Sequence, residues 1–102
     1  MAKVIALYKK PTDPAAFDSH YWSTHMPLAK TMPGLRKYEV STGPIGTPSG
    51  EASLYMVGIL TFDSTATVQT ALGSPEGIAT ADDLKNFAQA GVELLMFDTK
   101  EV

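Results

Sequence analysis

Residues 17–40 read FDSHYWSTHMPLAKTMPGLRKYEV, and this stretch decides the fold. Phe17, Tyr21, Thr24 and Leu28 recur at helical spacing and make one apolar stripe. Pro27 has no backbone N–H and crowds the preceding turn, so the helix is expected to end or kink near His25, with a short second piece over 28–31. Pro33-Gly34 then turns the chain. Leu35 to Ser41 alternates as a strand whose polar content marks an edge or half-exposed position. The same stretch holds both histidines, the only Trp and two of the four Tyr. His20 and His25 are five residues apart, which on an α-helix sets them about 140° apart, one on each shoulder of the stripe.

Upstream, residues 3–9 form a first strand, with Val4, Ala6 and Tyr8 facing one way and Ile5 and Leu7 the other. Asp13 and Pro14 suit the N-cap and first position of the helix that follows. Downstream, residues 42–53 hold three Gly and two Pro without periodicity and read as a long surface loop. Residues 54–62, LYMVGILTF, are apolar on both faces, as a central strand requires, with Gly58 leaving room for close approach. Asp63 or Ser64 caps a helix carrying Val68, Ala71 and Leu72, which Gly73 stops. Ser74-Pro75-Glu76 starts another, with Ile78, Ala81, Leu84, Lys85 and Phe87 at helical spacing and Asp82 or Asp83 as a fresh cap. Residues 92–98, VELLMFD, give the last strand.

The order β-α-β-β-α-β is the split βαβ, ferredoxin-like arrangement of the α+β class: a four-stranded antiparallel sheet with helices on one face. The other face carries apolar residues from at least three strands and needs cover. A homodimer packed through the open sheet face is the expected solution.

The 102 residues suit one domain spanning 1–102. Net charge is −3 and the basic residues are scattered, so no nucleic-acid partner is expected. Without cysteine there is no disulfide, thiolate metal site or Cys nucleophile. No signal h-region and no membrane-length apolar run is found, which makes a soluble cytoplasmic protein the expectation, with no membrane partner.

Several motifs together resemble the EthD family, named for ethyl tert-butyl ether degradation. They are Leu7-Tyr8-Lys9, Asp13-Pro14 with Phe17, His20-Tyr21 with His25, Pro27 and Leu28, and Pro33-Gly34-Leu35. Later come Phe62-Asp63-Ser64, Ser74-Pro75-Glu76-Gly77 and Asn86-Phe87. The resemblance covers essentially the whole chain, and the His-Tyr…His-x-Pro-Leu…Pro-Gly run is its most specific part. It implies a dimeric α+β barrel with a pocket for a small apolar compound. The namesake accompanies a monooxygenase system, and relatives of the fold include monooxygenases, dehydratases and cyclases. Oxidative metabolism of a small apolar, oxygen-bearing compound is the implied function; whether the chain is itself a catalyst, oxidoreductase-linked or a cofactor-free acid/base, stays open.

His20 and His25 alone titrate near neutrality and are the acid/base candidates. His25 comes first because Pro27 breaks the helix beside it; His20 is second. Either would stand at a pocket between the first helix and the sheet. Tyr8, Tyr21 and Tyr55 are candidates to orient a substrate oxygen, and Phe17, Leu28, Phe62 and Phe87 to line the pocket. The bland reading keeps both histidines as structural helix residues, and the chain as a non-catalytic binding or structural dimer module. Histidines on opposite shoulders do not converge on one ion, so no metal and no cofactor is expected. Ser74 reads as a cap rather than a nucleophile, and Gly43, Gly46 and Gly50 match no phosphate loop. Trp22 falls off the stripe, at a dimer seam or the surface.

Overall fold

In β1 (Ala2–Lys9), Ala2, Val4, Ala6 and Tyr8 are buried while Lys3, Ile5 and Leu7 are half-covered. This period-two burial is that of a strand with one face against helices. The computed structural model describes residues 1–102. After β1 come α1 (Pro14–His20), a π-helical turn (Tyr21–His25), α2 (Met26–Ala29), β2 (Lys37–Val40), β3 (Gly46–Thr47) and β4 (Gly50–Glu51). Then follow β5 (Leu54–Phe62), α3 (Thr65–Gly73), α4 (Pro75–Phe87) and β6 (Val92–Asp98). The large sheet runs β2-β5-β1-β6 with every neighbouring pair antiparallel. This is the ferredoxin-like α+β topology expected from the sequence.

The helices start where the chain supplies caps. Asp13, Ser64 and Ser74 each accept from the backbone N–H three residues on, at 3.1, 3.1 and 3.0 Å. At the α3–α4 junction a Cβ on Gly77 would stand 2.0 Å from the Ala71 carbonyl oxygen, so only glycine lets the two helices meet so closely. Gly34, at φ +80°, makes the turn expected of Pro33-Gly34.

Several local expectations are corrected. The regular α-helix is interrupted around His25 but the chain does not leave the helical path: the Met26 N–H bonds the Tyr21 carbonyl, an i→i+5 link, and the short second piece is Met26–Ala29 rather than 28–31. The wide turn leaves Pro27 at the start of the next α-helical piece, where its missing N–H costs nothing. The buried stripe is therefore Phe17, Tyr21, His25 and Ala29, with Thr24 exposed and Leu28 half-exposed. Asp83 is not a cap but lies buried inside a continuous α4, whose buried line is Gly77, Thr80, Asp83 and Phe87, whereas Ile78 faces out. The loop of 42–53 folds in part into the β3–β4 hairpin, and β2 is shorter than the strand read from Leu35 to Ser41.

Two clusters fill the space between sheet and helices. One gathers Ala2, Val4, Leu60 and Phe62 with Ala29, Met32, Val68 and Ala71. The other gathers Ala6, Tyr8 and Met56 with Phe17, Tyr21 and Phe87. In the second, Tyr8, Phe17, Tyr21 and Phe87 pack with ring centroids 5.1–6.0 Å apart. Such pairs add about 0.5–1.5 kcal/mol each beyond the area they bury.

The opposite face of the sheet has no helix. Across it run Glu39, Ile59, Ile5 and Leu95 in register, beside a row of Lys37, Thr61, Lys3 and Phe97. At the β6 edge, Leu94 to Phe97 are all exposed, on both faces of the strand.

Candidate functional site

The π turn is the element that builds the site. Closing a turn i→i+5 adds a residue to it, so residue i+5 comes back over residue i. His20 and His25 therefore lie on one face, and the divergence expected from α-helical spacing does not occur. Both imidazoles reach the carboxylate of Asp83 on α4. His25 Nδ1 lies 3.0 Å from Oδ2. His20 Nε2 lies 2.9 Å from Oδ1 and 3.0 Å from Oδ2. The Asn86 amide donates to Oδ1 at 2.9 Å. Phe87 supports the pair from below, with ring centroids 5.3 Å from His20 and 4.7 Å from His25.

A carboxylate only accepts, so Asp83 fixes the proton of His25 on Nδ1 and leaves the lone pair on Nε2. Nε2 has no partner within the chain, and no fully buried side-chain polar atom is left unpaired. This nitrogen must therefore touch open space. The space His25 lines is a cavity of about 60 Å³ between the sheet and the helices, walled by Val4, Ala6, Ala29, Met32, Leu60 and Leu72. Tyr8, Tyr21 and Tyr38 also face it, and Gly58 and Leu94 line it. The Tyr21 and Tyr38 hydroxyls bond each other. The Tyr8 hydroxyl, like His25 Nε2, has no partner in the chain.

The electrostatics suit a neutral base among neutral hydroxyls. Burial lowers the His25 pKa below the ordinary imidazole value, and the bond and charge of Asp83 oppose it only in part. Burial pushes the Tyr8, Tyr21 and Tyr38 phenols up, so all three stay protonated. Burial also pushes the Asp83 carboxyl up, but the hydrogen bonds from Asn86, His20 and His25 outweigh it and hold the group below the usual carboxylate range.

The other residues named from the sequence fall elsewhere. Tyr55 donates to Asp18 at 2.8 Å and lines a separate open cleft of about 650 Å³ with Trp22, Pro44 and Ile45. Lys10 and Glu51 pair at 2.9 Å within that cleft. Phe17 and Phe87 belong to the aromatic cluster and border a groove of about 320 Å³ near Asp13 and Asn86. Phe62 is in the other core cluster, and Leu28 lines none of these cavities. Two contributors went unread in the sequence, Asp83 and Tyr38. The signal for Asp83 was its place in the stripe Thr80, Asp83, Phe87, where an acid inside an apolar line calls for a buried partner. Tyr38 had only its alternation in β2. No group of three or more His, Asp or Glu side chains is arranged to hold a metal ion, and no helix is long and apolar enough to cross a membrane.

The chain has relatives among known proteins. Residues 9–91 match the family model of the EthD domain. An uncharacterized 11.0 kDa protein from the thcB–thcC intergenic region of Rhodococcus erythropolis is 39% identical over 103 residues, covering 100% of this chain and 98% of that one. A crystal structure of an ethyl tert-butyl ether degradation family protein from Bacillus halodurans is 37% identical, with a TM-score of 0.89 over 98% of this chain and 99% of that one. SnoaB, a cofactor-independent oxygenase from Streptomyces nogalater, shares the fold at a TM-score of 0.70 and 15% identity, over 99% of this chain and 94% of that one.

Proposed function

The chain belongs to the EthD family, and on that premise we propose that it binds a small apolar, oxygen-bearing compound and acts on it by histidine acid/base chemistry. His25 is the base and the later acid. Asp83 holds its tautomer. Tyr8 and the Tyr21–Tyr38 pair offer neutral hydroxyls to the ligand oxygen. One observation carries the reading: His25 lines an apolar cavity with its Nε2 unpartnered, while Nδ1 is anchored 3.0 Å from a buried carboxylate. A base needs a free lone pair and a fixed orientation, and the unpaired Nε2 and anchored Nδ1 support both. The cavity of about 60 Å³ is small beside an ordinary ligand pocket of roughly 300–1,000 Å³, which favours a small ligand. The likeness to a cofactor-independent oxygenase supports chemistry done by side chains within this fold.

The uncovered sheet face, with Ile5, Leu7, Val57 and Ile59 half-exposed and Leu95 and Phe97 exposed, supports a homodimer packed through it. A second copy presents the same apolar rows and would remove both from water.

A panel of small ethers, ketones and phenols tests the function by thermal shift, with products followed by mass spectrometry, on the wild type and on His25→Gln. The expected result is stabilisation of both proteins by one ligand class and turnover by the wild type alone. Binding without product would assign a non-catalytic binding module instead. Equal turnover by the two proteins would remove His25 from the chemistry.

A further inference from the structure

His20 does not line the cavity, yet it shares its carboxylate with the residue that does. Taking His25 as the cavity base, as above, we propose that His20 is a positioning residue whose charge, transmitted through Asp83, keeps His25 Nε2 free of a proton as the solvent turns acidic. Asp83 carries one negative charge and can balance one imidazolium. The histidine that solvent reaches is His20, with 29% of its side chain exposed, against 5% for His25 and 8% for Asp83. A proton arriving from solvent therefore settles at the outer ring. Once it has, a second proton on His25 would leave a net positive charge on a unit whose inner two members are buried, which low-dielectric surroundings resist.

The geometry makes the coupling direct. His20 Nε2 and His25 Nδ1 each lie 3.0 Å from the same oxygen, Oδ2, so they are no more than about 6 Å apart. Few other charges intervene. The titratable groups that share the cavity with His25 are the phenols of Tyr8 from β1, Tyr21 from the π turn and Tyr38 from β2, all neutral. From α4 it meets Asp83; Asp82 and Lys85 pair with each other at 3.0 Å on the exposed side. Asp18 of α1 is engaged by Tyr55, and α2 carries no titratable group.

The test is an imidazole NMR titration, which needs no substrate and is simple because the chain has only two histidines. In His20→Gln, which keeps a neutral donor but cannot take the charge, the His25 midpoint should rise by about one pH unit, a tenfold gain in proton affinity. In Asp83→Asn the nitrogen shifts should show His25 losing its fixed Nδ1–H tautomer. If either variant fails to fold, the wild type decides alone: the His25 resonances must show a second inflection at the His20 midpoint. An unchanged His25 midpoint in His20→Gln, or a wild-type His25 curve blind to His20, overturns the proposal. A merely structural His20 would move the melting temperature and not the midpoint. The functional reading is scored separately, by whether cavity ligands shift the His25 resonances and yield product.

Discussion

Replacing Asp83 by Ala removes the acceptor of three donors at once, and the structure shows which loss matters. His20 is part-exposed and Asn86 is exposed, so both can turn to water. His25 cannot, because its side chain is buried and its Nδ1–H points inward. An orphaned buried donor costs about 1–3 kcal/mol. The small space left adds to that cost, while Ala returns about half a kcal/mol in helix propensity over Asp. The expected net loss is about 2 kcal/mol, or roughly 10 °C in Tm for a domain of this size. Urea unfolding followed by circular dichroism at mildly alkaline pH measures it, at one protomer concentration, since a dimer makes stability depend on concentration. Double-mutant cycles then apportion it. Asp83 and His25 should couple by about 1–2 kcal/mol, and Asp83 and the outer His20 by less than about 0.5 kcal/mol. Equal couplings for the two histidines, or a loss under about 0.5 kcal/mol for Asp83→Ala, would refute the assignment of His25 as the buried dependant of this carboxylate.

Four further outcomes are expected. A Cβ on Gly58 would meet Tyr21 Oη at 3.5 Å and Ala6 Cβ at 3.8 Å, ordinary contacts; Gly58→Ala should fold normally yet weaken any ligand-induced thermal shift, and an unchanged shift would remove this cavity from ligand binding. Gly77→Ala forces an atom to within 2.0 Å of a backbone oxygen and should cost about 2–3 kcal/mol, while Gly73→Ala, with open space around it, should be near neutral in the same denaturation assay. Burial holds the folded His25 below its ordinary pKa, so below about pH 6.5 the unfolded chain binds the extra proton. Stability should therefore fall as pH drops through that value and level off, without recovering, once the folded group titrates too; His25→Gln should flatten the slope, and a slope of opposite sign would contradict the buried neutral imidazole. Leu95→Glu with Phe97→Glu puts charge on the open sheet face and should yield monomers by light scattering; an unchanged mass would mean that any partner sits elsewhere.

Much of the fold was legible because it depends on short-range chemistry. Asp13, Ser64 and Ser74 cap helices since their side chains reach N–H groups three residues on, a geometry local to each segment. The faces of β1 followed from its alternation, and the bare face of the sheet from having helices enough for only one side of strands that are apolar on both. The site was legible only in its parts. His20, His25, Tyr8 and Tyr21 stood out as rare residue types near one another, but their relation rested on a rotation of about 100° per residue. Leu28 and Phe62 were drawn into the candidate pocket by composition and sit outside the cavity for the same reason: type does not give direction.

The sequence FDSHYWSTHMPLAKTMPGLRKYEV by itself determined a helix, a turn and a strand carrying the acid/base candidates. Only the tertiary structure decided that the helix widens at Tyr21–His25 and turns both imidazoles to one side. An i→i+5 turn is rare and locally disfavoured against i→i+4, so it persists where contacts from elsewhere in the fold compensate it. Here those partners are Asp83, 63 residues from His20 and 58 from His25, and Phe87, and their contacts with both imidazoles form only once α4 has packed against the turn.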